Sequence, residues 1–170
     1  PFAEIEAFDV DIQSESAVRD FADRVGPVTV LVNNAGINPP PGSGGFSPET
    51  FPIADWNREI EVGLTGSMLM CKHLGPKMVA AKHGSIVNIA SDLSVISPDN
   101  RLYSHLEGFD GFPYAKSVAY SVVKHGLIGL TRYLAMHWAQ SGVRVNALSP
   151  GAVFNDQDEV FVRKLLERIP

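Results

Sequence analysis

Tyr120 and Lys124 stand four residues apart in AYSVVKHG (119–126), inside a run whose apolar pattern reads as a helix. One helical turn separates them, so their side chains share a face with Cβ atoms about 6 Å apart. Free tyrosine titrates near pH 10, and a fixed ammonium beside a phenol favours the phenolate, bringing proton exchange toward working pH. Ser91 closes SIVNIAS (85–91), and a hydroxyl at the end of that strand would hold a substrate oxygen next to the phenol. The three together make a proton-transfer site for an alcohol or a carbonyl. The same Tyr/Lys spacing also occurs in helices as amphipathic side chains with wetted tips, so the surrounding elements have to decide.

Those elements alternate in type. Residues 5–10 (IEAFDV) read as a short strand, and 14–26 (SESAVRDFADRVG) as a helix capped by Ser14 or Ser16 and stopped at Gly26. VTVLV (28–32) is continuously apolar, the pattern of a strand buried on both faces of a parallel sheet, and it runs into the turn NNAG (33–36). The Pro/Gly/Ser-dense stretch 38–51 is a surface loop. A helix follows over 55–82, with Asp55 as its cap and Gly84 as its stop. Residues 85–91 form the next buried strand, and 92–113 show no clear periodicity. A helix over 117–140 ends at Ser141-Gly142, VRVNALSPG (143–151) is a strand closing in a turn, and 156–168 is an amphipathic helix.

No repeat or linker interrupts this order, so 1–170 reads as a single domain. Strands alternating with helices of this length imply crossover units and a parallel α/β sheet with helices on both faces. Ligands in such sheets sit at the carboxyl ends of the strands. Chemistry is therefore expected at Asp11, at Asn33 to Gly36, at Ser91, and at Pro150 and Gly151.

Bulk properties narrow the classes. With 45% hydrophobic and 19% charged residues, a chain of 170 residues has the composition of one globular domain with a real core. A net charge of −5 argues against a general nucleic-acid binder. Charged residues or His interrupt every apolar run before membrane-spanning length, so no membrane partner is expected. Cys71 is the single cysteine and cannot form an internal disulfide, and no signal-peptide pattern opens the sequence, which suits a reducing cytoplasm. His73, His83, His105, His125 and His137 lack paired metal spacing, so no metal is expected. No GxSxG elbow offers a hydrolase nucleophile.

NNAG (33–36), VNIAS (87–91), YSVVK (120–124) and RVNALSPG (144–151) together resemble, in order and spacing, the short-chain dehydrogenase/reductase pattern. The resemblance covers essentially the whole chain. It implies a Rossmann-type, doubly wound, three-layer α/β/α fold that moves a hydride between NAD or NADP and an alcohol or carbonyl carbon. It also implies that Tyr120 is the general acid/base, that Lys124 tunes it and holds the nicotinamide ribose, and that Ser91 orients the substrate oxygen. Asp11 matches an acid that hydrogen-bonds the adenine, although an Asp ending a strand before a helix is common. Asn34, Ala35 and Gly36 match the turn close beneath the cofactor. Asn88 matches an asparagine that ties adjacent strands together. Pro150, Gly151 and Val153 match the turn beside the nicotinamide. By the same resemblance, the long helices pack against their copies in a homodimer or homotetramer.

Three departures stand out. Where the family has asparagine in the long helix, helping to hold a water of the proton relay, this chain has Gly63, which implies a modified relay or an impaired site. Between Ser91 and Tyr120 lie 28 residues, more than the family pattern has. Arg101, Tyr103, His105 and Tyr114 in that insertion suit a grip on a polar substrate, or else belong to a surface excursion. SPDNRLY, TRYLA and PGAVFNDQ resemble a subgroup linked to bacterial surface-sugar biosynthesis, which implies a sugar or sugar nucleotide. Finally, no glycine-rich phosphate turn precedes Asp11, and LERIP falls where the family continues. The resemblance thus implies part of a longer enzyme, without its first βαβ portion and its C-terminal tail. A non-catalytic protein keeping the fold, or a fragment unable to bind a dinucleotide, is the alternative.

Overall fold

A computed structural model describes residues 4–39 and 47–169, so the 40–46 portion of the expected loop lies outside the described residues. Three parallel strands form its sheet in the order β1 (Val30–Asn33), β2 (Gly84–Ile89), β3 (Val143–Leu148). Register places Leu31, Ile86 and Val145 in one row and Asn33, Asn88 and Ala147 in another. Five α-helices accompany them among the described residues: α1 (Glu15–Arg24), α2 (Ile53–Ile60), α3 (Gly66–Ala80), α4 (Val118–His137) and α5 (Glu159–Leu166).

The core lies on one side of the sheet. Leu31, Ile86, Val143 and Val145 bury against Ala22 of α1, Leu74 and Met78 of α3, and Leu134 of α4. Burial on both faces, expected for 28–32, is not what the strand shows: Val30 and Val32 are 59% and 54% exposed. The cause is topological. Both crossovers run the same way across the sheet, and right-handed crossovers with a common direction put their helices on a common face. Helices on the opposite face are absent from the described residues.

Local chemistry moves several boundaries. Residues 5–10 form no strand, because a strand is defined by a ladder and no described strand pairs with them. Phe8 instead packs edge-on against Phe21 of α1, with ring centroids 5.1 Å apart. Ser14 caps α1, its Oγ accepting from the Ala17 N–H. The long helix starts earlier than expected: Pro52 holds the N-cap position, and Asp55 sits in the first turn, where an acid meets the positive end of the helix dipole. Glu61–Thr65 form a π-helical turn between α2 and α3. Gly84 is not the helix stop but the first residue of β2; the chain leaves α3 through Lys82 in the left-handed region. At the end of α4 the chain passes through a 3-10 turn, Ala139–Ser141, to Gly142, where φ is 71° and a Cβ would lie 2.2 Å from the Lys82 carbonyl oxygen.

The 92–113 segment has structure of its own. It contains 3-10 turns at Asp92–Ser94 and Asn100–Tyr103 and an antiparallel bridge between Phe109 and Phe112. It also holds α5. Tyr103 stacks on Phe161 at 5.3 Å, His105 Nε2 lies 2.9 Å from Asp158 Oδ1, and Arg168 Nε donates to Asp99 Oδ2 at 2.8 Å. Arg101 pairs with Asp99 as well. Arg101, Tyr103 and His105, expected either to grip a polar substrate or to belong to a surface excursion, are engaged within the chain, and burial pushes the Tyr103 phenol up to about 12.

Candidate active site

Parallel strands bring their carboxyl ends to one edge of the sheet, and Asn34 to Gly36, Ser91 and Pro150 follow those ends. The turn after β1 carries Asn34, Ala35 and Gly36, all exposed. Beyond β2, Ser91 caps the 3-10 turn 92–94: its Oγ donates to Asp92 Oδ1 at 2.8 Å and accepts from the Leu93 N–H at 3.2 Å. An oxygen ligand at Ser91 would compete with Asp92 for that proton. Beyond β3, the Pro150 carbonyl accepts from the Asp92 N–H at 2.9 Å, and Ser149 Oγ meets Ser94 Oγ at 3.0 Å. Strand ends β2 and β3 are therefore stitched together beside Ser91.

Helix α4 lays its Tyr/Lys face across this edge. Lys124 is only 8% exposed, and its Nζ donates to the Ile89 carbonyl at 2.7 Å, joining helix to strand end. Burial pushes its ammonium pKa below the ordinary lysine value. The same Nζ lies 5.5 Å from the Tyr120 ring centroid. A Cβ built on Gly36 would lie 4.0 Å from Lys124 Nζ, with no other atom among the described residues within 4 Å. Turn, lysine and tyrosine are thus neighbours, and backbone rather than side chain lines the approach. That open approach fits a flat ring lying against the turn.

A buried amide chain forms the floor. Asn33 Nδ2 donates to Asn88 Oδ1 at 2.8 Å, Asn88 Nδ2 donates to Thr131 Oγ1 at 2.8 Å, and Thr131 Oγ1 donates to the Leu127 carbonyl at 2.7 Å. It ties β1 to β2 and β2 to α4, so Asn88 has the strand-tying contacts the resemblance implies. Asn33 also reaches Cys71 Sγ at 3.3 Å, and burial pushes that thiol up to about 11, which makes it a packing group.

At Gly63 the space is already filled. The residue is buried in the π turn, and a Cβ there would lie 2.5 Å from Val123 Cγ1. Asp11 and Val153 are engaged locally: Asp11 Oδ1 accepts from the Gln13 N–H at 3.0 Å, and the Val153 carbonyl accepts from Gln157 Nε2 at 2.8 Å. Among the described residues no group of three His, Cys, Asp or Glu side chains is placed to hold a metal.

Two further charged residues reach the site. Glu59 of α2 is 3% exposed, and its Oε2 accepts from Ser117 Oγ at 2.8 Å, while Ser117 caps α4 by accepting from the Tyr120 N–H at 3.1 Å. Burial raises the Glu59 carboxyl above its usual range. Lys116 Nζ lies 4.7 Å from the Tyr120 centroid and donates to Asn38 Oδ1. Glu59, Lys116, Tyr114 and Ser117 line a cavity of about 240 Å³. KSVAYSVVK (116–124), with lysines four before and four after the tyrosine, was a readable signal for Lys116. Glu59 had none, since its partner lies 58 residues away.

Known proteins resemble this chain in sequence and fold. D-threitol dehydrogenase of Mycolicibacterium smegmatis is 31% identical over 154 residues, covering 88% of this chain and 51% of that protein. Galactitol 2-dehydrogenase of Rhizobium johnstonii is 35% identical, covering 92% and 53%. The chain spans about half the length of these curated relatives. Among solved structures, a 3-oxoacyl-[acyl-carrier protein] reductase of Brucella melitensis with bound NAD superimposes with TM-score 0.68 at 29% identity, covering 83% of this chain and 48% of that one. A Burkholderia xenovorans structure assigned to the short-chain dehydrogenases/reductases gives TM-score 0.74 at 30% identity, covering 95% and 57%. The sheet is accordingly of the Rossmann type. A family model described as enoyl-(acyl carrier protein) reductase matches residues 3–164, and with these relatives it makes the chain a member of the short-chain dehydrogenase/reductase family.

Proposed function

We propose that this chain is part of an NAD- or NADP-dependent oxidoreductase that interconverts a secondary alcohol and a carbonyl. The observation that carries the reading is the convergence of Gly36, Lys124 and Tyr120 at the strand ends, with Lys124 anchored on Ile89. A bound nicotinamide supplies or takes the hydride. Tyr120 exchanges the proton with the substrate oxygen, which Ser91 orients. Lys124 has three N–H donors, one spent on Ile89, and the others serve the ribose. Asn34, Ala35, Gly36, Pro150, Gly151 and Val153 offer backbone to the nicotinamide half, and Asp11 serves the adenine. The NAD-bound neighbour and one titled ElxO with NADP bound (27% identity, TM-score 0.67) support both cofactors.

The relatives named for threitol and galactitol support a polyol or sugar as the small-molecule substrate, in preference to a sugar nucleotide. We read 1–170 as one partial domain. Its partner is a second copy, in a homodimer or homotetramer, because Met68 of α3 and Val122, Tyr133 and Met136 of α4 are exposed. The lone buried Cys71 thiol suits a reducing cytoplasm, and no described helix is long and apolar enough to cross a membrane. The test is Tyr120→Phe in the full-length protein, assayed with a polyol panel and either cofactor. Turnover should fall by about 10²–10⁴-fold with folding kept; unchanged turnover would sink the assignment.

A further inference from the structure

Tyr120 is flanked by two ammonium groups, not one. Lys124 approaches from one turn later in α4, with Nζ 5.5 Å from the ring centroid. Lys116 precedes the helix and approaches closer, at 4.7 Å. A cation over an aromatic face is attracted by the ring quadrupole, and far more strongly once the phenol has lost its proton and spread negative charge into the ring.

Lys116 is also held in place. Its backbone N–H donates to Asn100 Oδ1 at 3.1 Å and its Nζ donates to Asn38 Oδ1; burial pushes its ammonium pKa below the ordinary lysine value, and the Glu59 carboxylate across the cavity opposes that fall. Glu59 in turn holds Ser117, the cap of the helix on which Tyr120 rides. One buried carboxyl therefore bears on both the position of the tyrosine and the position of its second cation. The groups facing Tyr120 are Lys116, Lys124 and the Tyr103 phenol, with Glu59 behind Lys116.

We propose that Lys116 is a second cation of the proton-transfer group, stabilising the phenolate of Tyr120, and that Glu59 is the residue that positions it. The proposal rests on the reading of Tyr120 as the acid/base. It gives the site a second cation over the Tyr120 ring. The electrostatic contribution on this side of the phenol comes from the segment before α4.

The experiment is an ultraviolet phenolate titration of the full-length protein, with the Tyr120 signal isolated by subtracting the Tyr120→Phe spectrum. Lys116→Met should raise the half-titration pH of that signal, the direction in which losing a cation from over the ring moves a phenol. Lys116→Arg should return it close to the parent value, and Glu59→Gln should give a smaller rise. If Lys116→Met does not fold, Lys116→Gln serves in its place. A midpoint unmoved by loss of the Lys116 charge overturns the proposal, since a purely structural lysine would change stability without changing the titration. Because the readout needs no turnover, it separates from the functional reading: a shift without turnover shows that Lys116 and Tyr120 are coupled but overturns their proton-transfer role together with the oxidoreductase reading, and turnover without a shift overturns the Lys116 proposal alone.

Discussion

Val123 occupies the space that any side chain at position 63 would need, its Cγ1 lying 2.5 Å from where a Cβ on Gly63 would stand. The two residues form a small/large pair between the π turn and α4. Gly63→Asn, which restores the amide usual in the family, should therefore destabilise the fold by about 1–3 kcal/mol through overpacking. Adding Val123→Ala should recover most of that loss. A double-mutant cycle by chemical denaturation measures the coupling; additive effects would show that the two sites do not share the space.

Glu59 makes stability depend on pH in an unusual direction for a carboxylate. Burial holds its pKa above the ordinary 4.5, so the folded chain binds this proton more tightly than the unfolded chain. The stabilising contribution is full below 4.5, declines as pH rises toward the raised folded value, and is level beyond it. Glu59→Gln keeps an acceptor for Ser117 without the titration. The melting temperature of the variant relative to the parent should thus climb between acidic and neutral pH, and a constant difference would contradict the assignment.

The exposed Tyr133 and Met136 of α4 bear on assembly. If copies of the protein pair through the long helices, Met136→Glu places a charge in that interface and should shift the full-length protein toward monomer in sedimentation. Because Met136 is 80% exposed in the chain alone, folding stability should change by no more than about 0.5 kcal/mol. An assembly unaffected by the charge would place the contact elsewhere.

Much of this was legible in the order of residues. The β2 strand leading to Ser91, the Tyr120/Lys124 face of α4 and the turn after β1 all lie close to where local pattern puts them, because each is fixed by contacts within a single crossover unit. What local pattern could not supply depended on partners distant in sequence. The strand expected at 5–10 needs a neighbour to exist at all. Whether Val30 and Val32 are covered depends on what packs against the far face of the sheet. The roles of Arg101 and His105 were set by Asp99, Asp158 and α5, and polar side chains that look free in a loop sequence are taken up once the chain closes.

Helix α5 has no fully buried residue, so side-chain ties from Tyr103, Ser104, His105 and Asp99 account for its seat on the 99–105 turn. Ties concentrated on so short a segment break together. The turn and the helix should consequently open as one cooperative unit, their amide hydrogens exchanging through a common opening whose free energy lies below that of global unfolding. Any molecule whose exit from the neighbouring strand ends requires α5 to lift would then leave no faster than that shared opening.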